Sequence, residues 1–107
     1  MGMQQSILTF GAAPVQFPVP SGFAQVHSII AEPLRSNAAV CSVGGPTVTA
    51  NGSGVGVMQE LAAGPGATVP LDRFLYQPSS ESNRIDPTVF YAQGATGQGI
   101  KITYLII

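Results

Sequence analysis

Apolar and polar residues alternate with period two in short runs, and glycine or proline cuts each run. Ala39, Cys41 and Val43 alternate with Val40 and Ser42, and Gly44-Gly45-Pro46 breaks the run. Thr47-Val48-Thr49 predicts a second short strand, and Asn51-Gly52-Ser53-Gly54 is again turn chemistry. The strongest strand signal is at residues 100–107. Ile100, Ile102, Tyr104 and Ile106 share one face there, and Lys101, Thr103, Leu105 and Ile107 share the other. Its second half is apolar on both faces, as in a central or covered strand.

The rest of the chain follows the same rhythm. Residues 1–13 read as an N-terminal arm leading into a first strand with Ile7, Thr9 and Phe10. In 14–20, Val15, Phe17 and Val19 lie on one face, and Pro18 and Pro20 lack amide donors, which predicts a sheet edge. Residues 23–32 predict a long strand ended by Pro33, and Leu34-Arg35-Ser36-Asn37 a connecting loop. Residues 57–63 have some helix propensity, but Gly64-Pro65-Gly66 stops them after at most two turns, and they read as strand or irregular structure. Residues 68–71 and 73–77 are two short strands, and 78–87 the longest polar loop. Residues 88–93 predict a strand with Val89 and Tyr91 on one face and Phe90 on the other, followed by a hairpin-type loop at 94–99. The expected fold is all-β: an antiparallel β-sandwich, jelly-roll-like, with eight to ten short strands in one domain over 14–107. No helical run is long enough to cross between parallel strands.

Composition sharpens this picture at one point. Charged residues make up 8% of the 107 residues, against about 25% in a typical domain, and net charge is -1. A surface so poor in charge repels its own copies weakly, which predicts that much of it is covered by like chains or another protein. Four scattered cations, Arg35, Arg73, Arg84 and Lys101, make no stripe for a phosphate backbone, so no direct nucleic-acid ligand is expected. No run approaches the roughly 20 apolar residues that span a bilayer, and residues 1–20 lack a basic segment before an apolar one. Neither a membrane span nor a secretory signal is therefore expected.

Candidate chemistry is sparse. Cys41 is the lone cysteine and reads as a small buried hydrophobe. His27 is the lone histidine, set in mid-strand with no Gly-x-Ser-x-Gly elbow elsewhere, and reads as a strand residue at a surface or interface. One histidine and one cysteine do not make a zinc site. Asp72, Glu81 and Asp86 are too few and too scattered to read as a calcium site or a carboxylate pair. The glycine-rich run 94–99 precedes a strand rather than a helix, so it is no dinucleotide loop. The expectation is a chain with no catalytic residues, no metal and no cofactor: not an enzyme.

Two segments carry a family likeness. One runs Val40-Cys41-Ser42-Val43-Gly44 through Thr47-Val48-Thr49-Ala50-Asn51-Gly52, followed by Leu61 and Gly64. The other runs from Val89 through the turn Gly94-Ala95-Thr96-Gly97 into Ile100-Lys101-Ile102-Thr103-Tyr104-Leu105. Together they resemble the small all-β virion proteins of tailed bacteriophages, which include capsid decoration (cement) proteins. The proline-rich 14–20 and the long loop 78–87 depart from that pattern. The resemblance implies a structural protein on the capsid surface, made in the host cytoplasm, with the major capsid protein and copies of itself, as dimer or trimer, for partners. A tail or head-fibre component is the alternative, and a carbohydrate-binding sandwich module ranks below both. The residues expected to meet a partner are Met3, Ile7, Leu8 and Phe10 of the arm, with Leu34 and Arg35 of the loop.

Overall fold

A computed structural model describes residues 2–20, 26–34, 36–49, 56–62, 72–77 and 85–106. Among them lie eight strands: β1 (Gly2–Thr9), β2 (Val15–Gln16), β3 (Ser28–Pro33), β4 (Cys41–Gly44), β5 (Val57–Leu61), β6 (Phe74–Tyr76), β7 (Tyr91–Gln93) and β8 (Gly99–Ile106). They form two four-stranded antiparallel sheets, ordered β1-β8-β3-β6 and β2-β7-β4-β5. Strand β1 pairs with β8, β2 with β7, β3 with β6 and β4 with β5. The chain is thus one long hairpin, reversing between β4 and β5 and rolled so that successive pairs alternate between sheets. That is the jelly-roll arrangement the alternation predicts.

The inner faces of both sheets supply one core. From the first sheet come Ile29, Ala31, Phe74, Ile100, Ile102, Tyr104 and Ile106; from the second, Cys41, Val43, Leu61 and Ala92. The even positions of β8 are all buried, so the period-two reading of 100–106 holds along the strand. Phe90 sits at the centre of an aromatic cluster, with ring centroids 5.8 Å from Phe17, 5.7 Å from Phe74 and 5.4 Å from Tyr76. Tyr104 reaches across the sandwich and donates its hydroxyl to the Pro18 carbonyl at 2.7 Å. Strand β2 lies at a sheet edge, as its prolines require.

The structure departs from the sequence reading in four places. Residues 47–49 make no strand: Val48 is buried, but its amide bonds to Gly45 and closes a turn. Gly45 in turn bonds to Gly56, and a side chain on Gly44 would collide with the Gly56 carbonyl, which fixes glycine there. Residues 88–93 divide into a 3-10 turn, Pro87–Val89, and β7. Asp86 caps that turn by accepting from the Thr88 amide and hydroxyl, and Pro87 occupies the first turn position. The loop after β7 is no hairpin, because β7 and β8 lie in different sheets. Gly97 makes that crossing with φ of +88°. The first strand expected within residues 1–13 is present as β1 and pairs with β8 along its whole length. The strand expected at 23–32 begins at Ser28, with Val26 bridged to Ile85. The expected strand at 68–71 and turn at 51–54 lie outside the described residues, as does most of the polar loop at 78–87.

One buried side chain holds the crossing point of the roll. Asn37 is 1% exposed; its amide donates to the Gly99 carbonyl at 2.8 Å, and its oxygen accepts from the Gly99 amide at 3.1 Å. It substitutes for a strand partner at the start of β8. Asn37→Ala orphans the buried Gly99 amide and leaves the Gly99 carbonyl only the Leu34 amide, and is expected to cost about 1–3 kcal/mol in urea unfolding. A loss below about 0.5 kcal/mol would show that water satisfies that amide.

Candidate functional site

The outer face of the first sheet is built in cross-strand rows. Met3, Leu105 and Ser28 form one row; Gln5, Thr103, Ile30 and Leu75 a second; Ile7, Lys101 and Glu32 a third. Met3 and Ile7 are 61% and 62% exposed, Leu75 54% and Leu105 37%, with Ile30 half-buried between them. An apolar set this dense on one face of a solvated sheet departs from the usual polar-out alternation. The charges of the third row pair with each other: Lys101 Nζ lies 3.6 Å from Glu32 Oε1, so they add no net charge. Both are partly exposed, and such a pair stabilises little.

Two concavities mark this face. An open groove of about 510 Å³ lies at one end, lined by Gly2, Met3, His27, Ser28, Gln77, Leu105 and Ile106. A shallower one of about 350 Å³ follows Gln5, Ser6, Ile7 and Lys101. In the groove His27 Nδ1 lies 2.7 Å from the buried Ser28 hydroxyl. A histidine and a serine at that distance meet the first requirement of a nucleophile and base. They also need a third group to orient the imidazole and donors for an oxyanion. Among the described residues no carboxylate bonds His27, and the contact satisfies a buried hydroxyl. Among the described residues no Phe, Tyr or Trp lines the groove, which is where a sugar would stack.

The carboxylates considered from the sequence serve the backbone. Asp72 accepts from the Ala62 amide at 2.8 Å. The Thr88 side chain, then its amide, holds the Asp86 carboxyl below its usual range. Glu81 lies outside the described residues. No group of three or more His, Cys, Asp or Glu able to hold a metal occurs among the described residues. No helix there is long and apolar enough to cross a membrane.

Of the residues expected to meet a partner, Met3 and Ile7 share the outer face. Leu8 points to the opposite side and packs on the core, and Phe10 lies within the core at 2% exposure. Leu34 is half-buried against Gly99, and Arg35 lies outside the described residues. Sequence reasoning missed Leu75 and Leu105. For Leu105 the signal was present, since 100–107 reads as apolar on both faces toward its end. For Leu75 it was absent, because Phe74 and Tyr76 flank it and the run shows no alternation.

No family model matches this chain, and neither the curated proteins nor the solved structures contain a match.

The ionisable core groups give a pH dependence of definite sign. Burial pushes the Cys41 thiol from 9.0 up to about 11. Burial, with the Asp86 charge second, also raises the Tyr104 hydroxyl above its ordinary 10.0. Both favour the neutral form in the folded chain. Their contribution is therefore complete below pH 9, and that of Cys41 is lost as pH rises from 9 to about 11. Urea midpoints measured from pH 7 to 11 should fall above pH 9, and Cys41→Ala should flatten the first part of that fall. A wild-type midpoint constant to pH 11 would contradict the burial of both groups.

Proposed function

We propose that this chain is a non-enzymatic structural protein of a virion, which binds the outside of a capsid as a decoration or cement protein and stabilises the shell. The observation that carries this reading is the outer face of β1-β8-β3-β6. It exposes Met3, Ile7, Leu75 and Leu105 around a self-neutralised ion pair, on a chain with 8% charged residues. Such a face gains by being covered, at roughly 25 cal/mol per Å² of apolar area removed from water. The resemblance of residues 38–65 and 85–106 to small phage virion proteins supplies the identity of the partner, the major capsid protein. The jelly roll is compatible with it, being common in capsid proteins, though also in lectins.

The physics of the role is additive. A shell under internal pressure fails at its subunit boundaries, and a small rigid sandwich seated across a boundary adds buried area there. Many weak copies then act together, since each seated copy raises the cost of opening its neighbours.

The test is co-sedimentation with empty heads of the tailed phage that carries this gene. Wild-type chain should pellet with the heads at high copy number. Leu75→Lys with Leu105→Lys should weaken retention by about a hundredfold, since each removes about 1.4 kcal/mol of burial. Both sites are surface-exposed, so folding should be kept. Absence of wild-type binding overturns the reading, and binding at only a few copies per particle transfers it to a tail or fibre.

A further inference from the structure

The four sheet edges of this protein are treated unequally. An open edge is a template for unwanted pairing, and proteins blunt it with short strands, proline, charge or bulges. Here β2 is two residues long, with Pro14 before it and Pro18 and Pro20 after it. Strand β6 is three residues long. Strand β5 has five residues, carries Glu60, and meets a register shift at Val43/Gly44. Strand β1 has none of these devices. It is eight residues long, Gly-Met-Gln-Gln-Ser-Ile-Leu-Thr, without proline or charge, and keeps unbroken register with β8 from Gly2↔Ile106 to Thr9↔Gly99.

The direction of its backbone groups is fixed by its neighbours. Phe10 donates to the Gln98 carbonyl, and the Leu105 carbonyl accepts from His27 on the far side of β8. Alternation then turns the backbone groups of Gln4, Ser6 and Leu8 toward β8, and those of Met3, Gln5 and Ile7 toward the open edge. Three amides and three carbonyls in a row are presented there.

We infer that β1 pairs with β1 of a second copy, antiparallel about a two-fold axis at Gln5, to make one continuous eight-stranded sheet. The register follows from the side chains. Antiparallel partners share a face, so paired positions must have equal parity. Centred on Gln5, the pairs are Met3 with Ile7, Gln4 with Ser6, and Gln5 with itself: apolar meets apolar and polar meets polar. Centred on Ser6, the pairs become Gln5 with Ile7, Met3 with Thr9, and Gln4 with Leu8, and each sets a polar residue against an apolar one. Gln5 Nε2 already donates one hydrogen to Thr103 Oγ1 at 3.1 Å, leaving a second hydrogen and its carbonyl oxygen for the symmetry mate.

Charge permits this contact and area limits it. The strand has no charge to repel its copy, and Lys101 beside it is paired with Glu32. A seven-residue ladder with its side chains covers roughly 1,000 Å² over both copies, at the small end of specific interfaces. The dimer is therefore reversible and concentration-dependent. The inference deepens the surface reading above by naming a second copy for the β1 edge, and it leaves Leu75 and Leu105 free for another partner.

The test is symmetric crosslinking. A hydrogen-bonded antiparallel pair holds its Cα atoms about 5.5 Å apart, within disulfide range. Under mild oxidation Gln5→Cys should give a covalent dimer, while Ser6→Cys, and the wild type with only buried Cys41, should not. Sedimentation equilibrium of the wild type should show a monomer–dimer exchange that Ile7→Lys shifts at least tenfold toward monomer with its melting temperature unchanged. A wild type monomeric to about 1 mM, or Ser6→Cys crosslinking as fast as Gln5→Cys, overturns the inference. A monomer that still pellets with heads sinks the dimer alone; a dimer that does not pellet sinks only the capsid reading.

Discussion

Strand β8 carries two ladders at once, to β1 on one side and β3 on the other, while four of its side chains fill the core. Every other strand of the first sheet is placed through it or through β3. Its start is held by the side chain of Asn37, which supplies the acceptor for the Gly99 amide and adds a second donor, beside the Leu34 amide, to the Gly99 carbonyl. A polar residue can be this deeply buried only because both halves of its amide are used. The strand next to which that amide sits thus begins at a defined residue, and the inward parity of Ile100, Ile102, Tyr104 and Ile106 follows.

Much of this was legible in the amino-acid sequence, for a physical reason. In a sandwich one face of each strand packs on the core and the other does not, so period two survives in the residues, as in 100–106 and 41–43, even where the outward residue, Ser42 or Thr103, is itself covered. The prolines around Val15 and Gln16 likewise announced an edge, because a missing amide has the same consequence in any sheet. What failed was the reading of partners. Thr47-Val48-Thr49 alternates correctly and buries Val48, yet no strand lies beside it. Residues 88–90 alternate too, but the Asp86 cap and Pro87 favour a tight turn. The glycines after β7 signal a reversal without saying whether the chain returns in the same sheet. Phe10 shows the limit for the site: beside Leu8 it reads as part of an apolar arm, but the strand end turns it into the core.

The two sheets present different surfaces. The second sheet has edges that are short, proline-flanked or bulged. The first sheet has an apolar outer face and one long smooth edge, and the scarce charges that fall on that face cancel locally. The groove at one end of the face is lined by both chain-terminal strands, and its His27–Ser28 contact settles a buried hydroxyl rather than building a reactive pair. Interaction and chemistry make different demands. The first needs area and complementarity, which three rows of strand residues supply; the second needs convergent polar groups, and among the described residues this face brings together His27 and Ser28.

The nesting of the roll also sets the order in which it can assemble. Cα partners Gly2 and Ile106 are 104 positions apart in sequence, whereas β4 and β5 meet across one bend. The β4–β5 pair can form early, but the first sheet lacks its middle until β8 has been made. Until then β1 waits beside nothing, with Met3 and Ile7 uncovered and its backbone unpaired on both sides. The longer β8 is delayed, the longer that strand goes without its ladder.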